Sequence, residues 1–380
     1  MSEIIQRSAQ QSPKEHTTLT NPREFNIAVL PGDGIGIEVT EAALAVLAAA
    51  QKKHGGFKLS NTEMPAGAGL YRDTGVALPE ETLLGAGAAD AIYLGAMGLP
   101  NIRYDDGTEI APQLDLRFNF GLYAGVRPVR AYPNGPSALS DPRAGDIDFV
   151  LIRESTEGLF ASRGKGTVED DREARETMVI TRPVSEELFD FSFALARRRK
   201  AIGRAGHVTL VDKANVFTAF AFFRKIFDER AANFADITSD HHYVDAMALD
   251  MIRRPWDFDV MVTENMFGDI LSDLAAGLVG GMGFAPSADI GSDNAVFQPA
   301  HGTAPDIMGT GTANPIAAIL SASMMLEWLG DRDDAQACKD AAVSIDEAVS
   351  LAISERGIRT ADVGGTHKTD QVVEAVIDLL

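Results

Sequence analysis

The 380-residue sequence contains a single cysteine, Cys338, and no apolar run long enough to cross a membrane. One thiol cannot form an internal disulfide or a zinc-binding cysteine cluster. The longest apolar run, Ile316–Leu326, reaches about half the length of a membrane span and contains two serines. Residues 1–24 are polar and lack the apolar centre of a secretory signal. We therefore expect a flexible tail at 1–24 and a soluble, cytoplasmic protein without a membrane partner.

Basic residues are in the minority, with 34 Lys and Arg against 55 Asp and Glu, for a formal net charge of −21. Such a surface repels phosphate backbones, which argues against a nucleic-acid partner. An anionic small substrate stays possible, because a local arginine cluster outweighs the global field at short range. The length and a hydrophobic content of 45% predict two or three domains with a large core.

Short apolar runs alternate with helix-like segments along the chain. Asn26–Leu30 predicts a buried first strand, 31–36 a glycine-rich turn, and Ile37–Lys53 a helix. Further strands are predicted at Ala91–Leu94, Phe149–Ile152, Val208–Val211 and Val260–Thr263. This alternation is typical of an α/β fold. The polar segment Arg153–Arg182 interrupts it and predicts an excursion from the core.

The segment Thr263–Asp273 holds two aspartates four residues apart, Asp269 and Asp273. On a helix they share one face, where their repulsion favours a cation between them. Carboxylate oxygens suit Mg²⁺ or Mn²⁺, whereas the alternative is a solvated acidic face. Asp245 could supply a third carboxylate. The preceding pair His241–His242 is interpreted as a surface feature.

Four basic residues stand in or beside apolar sequence. Lys213 follows a predicted strand, and a lysine there can act as a base near a cation or be merely structural. Arg117, Arg127 and Arg153 have apolar neighbours, where an unpaired guanidinium is costly. They could bind the carboxylates of a substrate or form internal salt bridges.

Five motifs occur in one order and together carry a family resemblance. They are Leu30–Gly36 (LPGDGIG), Val211–Val216 (VDKANV), Asn265–Asp273 (NMFGDILSD), His301–Asp306 (HGTAPD) and Ala313–Ala322 (ANPIAAILSA). The chain resembles the β-decarboxylating dehydrogenases, which is the isocitrate/isopropylmalate dehydrogenase family that includes tartrate and D-malate dehydrogenases. The resemblance extends over about residues 25–380.

The resemblance implies an isopropylmalate dehydrogenase-like fold, with two α/β domains that share a central sheet and an active site in the cleft between them. The terminal domain would comprise 25–123 and 280–380. The central domain would comprise 124–279, with a dimerisation arm at about 155–182. The resemblance also implies a homodimer in which Lys213 and Asp245 reach the active site of the other subunit.

Residue roles follow from the same resemblance. Arg117, Arg127 and Arg153 match residues that bind the carboxylates of a hydroxy-dicarboxylate substrate. Asp269, Asp273 and a second subunit's Asp245 match the ligands of Mg²⁺ or Mn²⁺, and Lys213 with Asp245 matches the catalytic pair that removes the hydroxyl proton. The cofactor residues would be Ile35, Asn215, His301, Gly302, Ala304, Asp306 and Asn314. Because the Asp306 carboxylate would repel a 2′-phosphate, we expect NAD and not NADP.

Two positions depart from the family pattern. Phe160 stands where the family has a tyrosine that protonates the product carbon, so we expect slow or absent decarboxylation. Ser162 is nearby but is a poor acid. Gln113 and Leu114 replace two leucines of isopropylmalate enzymes, which favours a polar substituent at C3 and makes Gln113 a candidate substrate-binding residue.

Three other functions compete with this interpretation. The main alternative substrate is 3-isopropylmalate. A non-catalytic regulatory subunit is a second alternative, which the retention of Lys213 and the three aspartates disfavours. A phosphate-binding transferase is a third, but the glycine loop at 32–36 lacks the Gly-Lys-Ser/Thr element that such enzymes need.

Overall fold

The structure is a computed structural model that describes residues 22–380. The predicted tail at 1–24 falls almost wholly outside the described residues. Its last three positions, 22–24, are described, and the prediction is wrong at Arg23 and Glu24, because the first strand begins at Arg23 and pairs there with Phe57.

The helices and strands alternate through most of the chain. The strands are β1 (Arg23–Gly32), β2 (Phe57–Glu63), β3 (Ala91–Ala96), β4 (Ala124–Arg130), β5 (Asp148–Glu154), β6 (Thr167–Glu169), β7 (Glu173–Arg175), β8 (His207–Asp212), β9 (Thr238–Tyr243), β10 (Val260–Thr263), β11 (Pro286–Ile290) and β12 (Ala295–Pro299). The helices are α1 (Gly36–His54), α2 (Ala68–Thr74), α3 (Glu80–Ala88), α4 (Pro112–Asn119), α5 (Arg182–Ala201), α6 (Thr218–Ala231), α7 (Val244–Arg253), α8 (Asn265–Leu278), α9 (Ile316–Arg332), α10 (Gln336–Ser354) and α11 (Thr369–Leu379). Each strand predicted from an apolar run lies in β1, β3, β5, β8 or β10, and the first predicted helix is α1.

Ten strands form one sheet in the order β2-β1-β3-β12-β11-β4-β5-β10-β8-β9. Pairing is parallel towards both edges and antiparallel at the centre, where β11 pairs with β12 and β4, and β4 pairs with β5. Strands from both chain ends form one half of the sheet, and strands from the middle of the chain form the other. The α/β fold class is confirmed, whereas the predicted domain boundaries stay a prediction.

The longest apolar run of the sequence lies in α9, which is buried along most of its length. The hydroxyl of Tyr93 on β3 donates a hydrogen bond to the Ala318 carbonyl of this helix at 2.8 Å. The run is therefore a core helix. Among residues 22–380, no helix is both long and apolar enough to span a membrane.

The central antiparallel strands place polar residues side by side on one face of the sheet. Asp289 on β11 lies opposite Gly125 on β4, which in turn lies opposite Arg153 on β5. Arg127 is two residues beyond Gly125 and therefore shares its face. A Cβ atom at Gly125 would lie 2.6 Å from the Ser155 Oγ and 3.1 Å from the Asp289 Oδ1. Glycine is thus required for these side chains to approach each other.

The polar segment predicted as an excursion from the core leaves the sheet after β5 and returns at α5. Its base is closed by a bridge between Gly158 and Val179, and its outer part is the exposed hairpin of β6 and β7. Its role in dimerisation stays a prediction.

Candidate active site

Three buried arginines meet at the centre of the sheet. Arg117 from α4 is 6% exposed, Arg127 from β4 is 6% exposed and Arg153 from β5 is 4% exposed. A buried guanidinium is stable only when it has hydrogen-bond partners or opposite charge nearby. Their partners therefore determine what the site can bind.

Asp289 is the buried counter-ion of two of these arginines. Its carboxylate accepts hydrogen bonds from the Arg117 Nε at 3.0 Å and the Arg127 Nη2 at 3.1 Å. Burial alone would raise the pKa of Asp289, but Arg117, Arg127 and Arg153 outweigh it and lower the pKa to about 2. The internal salt bridges that the sequence left as an alternative are therefore present. One buried carboxylate still faces three guanidiniums, so the site has positive charge to offer an anion.

Arg153 is held by helix α8. Its Nε and Nη2 donate to the Asn265 Oδ1 at 2.9 and 2.7 Å, and its Nη1 donates to the Asp269 carboxylate. The guanidinium lies 5.1 Å from the centre of the Phe160 ring. Burial and the nearby Arg117 lower the pKa of Arg153 to about 10, which leaves it charged at neutral pH. A Cβ atom at Gly268 would lie 2.6 Å from the Arg153 Cγ, so this glycine permits the close packing.

Helix α8 also presents the two predicted metal-binding aspartates. The Glu264 side chain caps the helix by accepting from the Phe267 backbone N–H at 2.8 Å. Asp269 and Asp273 follow on one face, both exposed. Burial, and after it the neighbouring Asp269, raise the pKa of Asp273. This mutual repulsion and an all-oxygen donor set fit a hard divalent cation.

Lys213 and Asp245 form a separate pair. Lys213 follows β8, and Asp245 lies in the first turn of α7, which follows the neighbouring strand β9. Their side chains are hydrogen-bonded, and this bond lowers the pKa of Asp245. Within residues 22–380 no three acidic, histidine or cysteine side chains are grouped as a metal site. The chain's own Asp245 therefore does not join Asp269 and Asp273.

The predicted cofactor loops lie together at the other half of the sheet. The Ile35 backbone N–H donates to the Thr303 carbonyl at 2.8 Å, and the Thr303 hydroxyl donates to the Gly98 carbonyl at 2.7 Å. Gly34 has a φ of +59°, and a Cβ atom there would lie 2.1 Å from the Thr303 oxygen. The turn at 31–36 thus contacts the loop that carries His301, Gly302, Ala304 and Asp306.

The polar side chains at the cofactor loops differ in whether their polar atoms have hydrogen-bond partners. The His301 Nδ1 contacts the Gly302 carbonyl at 2.9 Å, whereas the buried Nε2 has no hydrogen-bond partner among the described residues. Burial lowers the pKa of His301 and favours the neutral ring. Asp306 is exposed. Asn314 is buried and already partnered, because its Nδ2 donates to the Asp362 carboxylate at 3.0 Å.

Asn215 does not lie with the other predicted cofactor residues. It is exposed in the turn after β8, close to one edge of the sheet, whereas the His301 loop follows β12 in the opposite half. A role for Asn215 at the same cofactor would require a second subunit.

Comparison with known proteins identifies the family of this chain. The family model for isocitrate/isopropylmalate dehydrogenase matches residues 26–376. The chain belongs to the isocitrate/isopropylmalate dehydrogenase family. A 3-isopropylmalate/3-methylmalate dehydrogenase of Methanocaldococcus jannaschii is 42% identical over 92% of this chain and 97% of its own length. A probable tartrate dehydrogenase/decarboxylase of Bacillus subtilis is 35% identical over 94% and 98%.

A solved structure from the same family supports the fold. The crystal structure of isocitrate dehydrogenase from Methylococcus capsulatus aligns with a TM-score of 0.80 and 36% identity, over 93% of this chain and 99% of that chain. The family resemblance and the isopropylmalate dehydrogenase-like fold predicted from the motifs are confirmed. This protein is therefore a malate-type hydroxy acid dehydrogenase.

Sequence reasoning missed the residues that hold the predicted arginines. Asp289 accepts from two arginines and from the Gln298 amide at 3.0 Å, and Asn265 accepts twice from Arg153. A signal for Asp289 was available, because it is the single charged residue of the buried strand Pro286–Ile290. Asn265 offered no comparable signal within a helix of mixed composition.

The buried position of Asp289 predicts a large effect on stability. We expect Asp289→Asn to destabilise the fold by about 3 to 5 kcal/mol, because it leaves buried guanidiniums without their counter-ion. The control Asp73→Asn changes a surface ion pair, since Asp73 is 61% exposed and its partner Arg72 is 60% exposed, and it should leave the stability nearly unchanged. Chemical denaturation measures both, and equal effects would contradict the assignment.

The lowered pKa of Asp289 also predicts how the stability of the fold depends on pH. A carboxyl with a lowered pKa stabilises the folded state fully above its ordinary value of 3.8, and this stabilisation is lost as the pH falls through about 2. The difference between the wild type and Asp289→Asn should therefore shrink below pH 4.

Proposed function

We propose that this protein oxidises a 3-substituted malate-type 2-hydroxy acid with NAD and Mg²⁺ or Mn²⁺. The observation that carries the proposal is the group of three buried guanidiniums around one buried carboxylate, next to the aspartate pair of α8. A dicarboxylate fits the positive charge, and a hydroxyl beside a carboxylate fits a cation held by the aspartates.

The arginines would bind and orient the substrate carboxylates. Asp289 uses one N–H group of Arg117 and one of Arg127, so each guanidinium keeps further donors. Arg153 is fixed in place by Asn265 and is already turned towards Asp269. A carboxylate bound by Arg153 would therefore lie next to the predicted metal ligands.

The metal would be held by Asp269 and Asp273 of one subunit and by Asp245 of another. When bound, it would acidify the substrate hydroxyl and then polarise the ketone. Lys213, which is hydrogen-bonded to Asp245, would accept the hydroxyl proton as the general base.

NAD would be held by the loops at 31–36 and 301–306. The nicotinamide would accept the hydride from C2. Because the Gly302 carbonyl can only accept, the His301 Nδ1 carries the proton and the orphaned Nε2 is an acceptor for a donor on the adenosine. The exposed carboxylate of Asp306 would accept hydrogen bonds from the ribose hydroxyls and repel a 2′-phosphate.

Two side chains bear on the C3 substituent and on decarboxylation. The Gln113 Oε1 is buried without a hydrogen-bond partner among the described residues, and a donor on a polar substituent would satisfy it. The Phe160 ring, which packs on Arg153, has no proton to donate to the product carbon. We infer that decarboxylation is slow or absent. The second candidate substrate is 3-isopropylmalate, which the 42% identical relative from M. jannaschii favours through its name.

A homodimer with shared sites would bring the two separate groups together. Lys213 and Asp245 pair with each other and not with the α8 aspartates. Exposed apolar side chains lie on the same elements as these residues, which is typical of an interface; they are Val216, Phe217, Tyr243, Leu249, Ile252 and Ile270.

The substrate class is tested with the purified protein, Mn²⁺ and a panel of unsubstituted malate, tartrate and 3-isopropylmalate. We expect NADH formation from NAD with at least one of these acids, its loss on chelation of the metal, and a preference for polar substituents. NADH is followed by absorbance and CO₂ in the same reaction. A preference for NADP, or CO₂ released in step with NADH, would contradict the cofactor or the decarboxylation proposal respectively.

Restoring a phenol at position 160 should raise the yield of CO₂. We expect Phe160→Tyr to increase the ratio of CO₂ to NADH by about tenfold or more, because a positioned general acid accelerates protonation by at least this factor. Phe118→Tyr is the matched control. Phe118 and Phe160 line one cleft, but of the two only the Phe160 ring lies against the Arg153 guanidinium. An unchanged ratio in both variants would show that Phe160 does not limit decarboxylation.

Shared active sites predict complementation between two inactive variants. In a mixture of Lys213→Met and Asp269→Asn, each mixed dimer would contain one intact site and one doubly altered site. Equal mixing with subunit exchange should therefore restore about a quarter of wild-type activity. If each site were built from one chain, the mixture would stay inactive.

A further inference from the structure

A cleft of about 660 Å³ borders the arginine site. Phe160 and Thr156 form part of its wall, and the Phe160 ring contacts the Arg153 guanidinium. Asp115 and Phe118 of α4 form another part; along this helix Asp115 is two residues from Gln113, and Phe118 is one residue from Arg117. The cleft therefore lies beside the arginine site, with the Phe160 ring between the cleft and Arg153.

Arg163 and Asp115 form a loose ion pair in this cleft. The Arg163 Nη1 lies 3.6 Å from the Asp115 Oδ1, which is longer than a hydrogen bond. The Arg163 Nη2 donates to the Glu109 carbonyl at 3.2 Å, and within residues 22–380 no other N–H group of the Arg163 guanidinium has an acceptor at hydrogen-bond distance. Burial raises the pKa of Asp115, and Arg163 opposes this rise. The Arg163 side chain is 28% exposed and that of Asp115 is 40% exposed, so both are accessible from the cleft.

The chemistry of this pair discriminates between substituents. An apolar substituent would remove water from Arg163 and Asp115 without replacing its hydrogen bonds, which is unfavourable. A further carboxylate would approach the carboxylates of Asp115 and Asp106, which border the same cleft. A hydroxyl can accept from Arg163 and donate to Asp115 at the same time.

We propose that Arg163 and Asp115 are specificity residues that recognise a hydroxyl group on the C3 substituent of the substrate. This rests on the proposed oxidation of a 3-substituted malate and adds the chemical class of the substituent. Arg163 belongs to the segment that leaves the sheet after β5, so this segment would help to select the substrate.

The test compares malates that carry hydroxymethyl, isopropyl or carboxymethyl at C3 with unsubstituted malate. We expect the wild-type protein to have its highest kcat/KM with the hydroxymethyl compound. Arg163→Met should lower that value by about ten- to a hundredfold, the range for a hydrogen bond to a charged group. It should leave the value for unsubstituted malate within about twofold. Asp115→Asn should act in the same direction.

Lys165→Met is the matched control. Lys165 borders the same cleft, but its ammonium already donates to the Ala161 carbonyl at 3.1 Å. A preference for the isopropyl or carboxymethyl compound, or an equal loss with every malate in Arg163→Met, would overturn the assignment of Arg163. No NADH from any malate, including the unsubstituted one, would instead overturn the proposed function and this inference with it.

Discussion

The ion pairs of Asp289 with Arg117 and Arg127 connect the two halves of the molecule. Asp289 lies on a strand from the C-terminal part of the chain, and Arg127 lies on the neighbouring strand from the middle. Their side chains meet because antiparallel pairing places opposite residues on one face and because Gly125 leaves the space. The same contacts orient the guanidiniums, so packing at the sheet centre and the geometry of the binding site depend on one carboxylate.

Much of the fold could be predicted from the sequence, because its signals are local. Apolar runs such as Val260–Thr263 became buried strands, and the motif around Asp269 became the start of α8. The partners of the arginines could not be predicted, because Asp289 is 172 residues away from Arg117 and Asn265 is 112 residues away from Arg153. Only strand order brings such residues together. The separation of Asp245 from the α8 aspartates was expected from the family resemblance alone, because spacing along the chain does not show it.

The chemistry of the site divides into a part that many substrates share and a part that distinguishes them. In the proposed function, the buried arginines, the α8 aspartates and the Lys213–Asp245 pair would bind the hydroxy acid itself. Phe160, Gln113 and the Arg163–Asp115 pair would instead contact its substituent and influence the fate of its carbon chain. Relatives named for isopropylmalate and for tartrate differ in substituent while they share the hydroxy acid. The residues that would contact the substituent are therefore where members of the family would diverge.

The contact between the turn at 31–36 and the loop at 301–306 has an evolutionary consequence. It is made through the backbone of Ile35 and Thr303, and the close approach needs only a glycine at position 34. The side chain of Asp306 is exposed and takes no part in this contact. Mutation at position 306 is thus largely uncoupled from folding, and a lineage could exchange one dinucleotide for another without passing through an unstable ancestor.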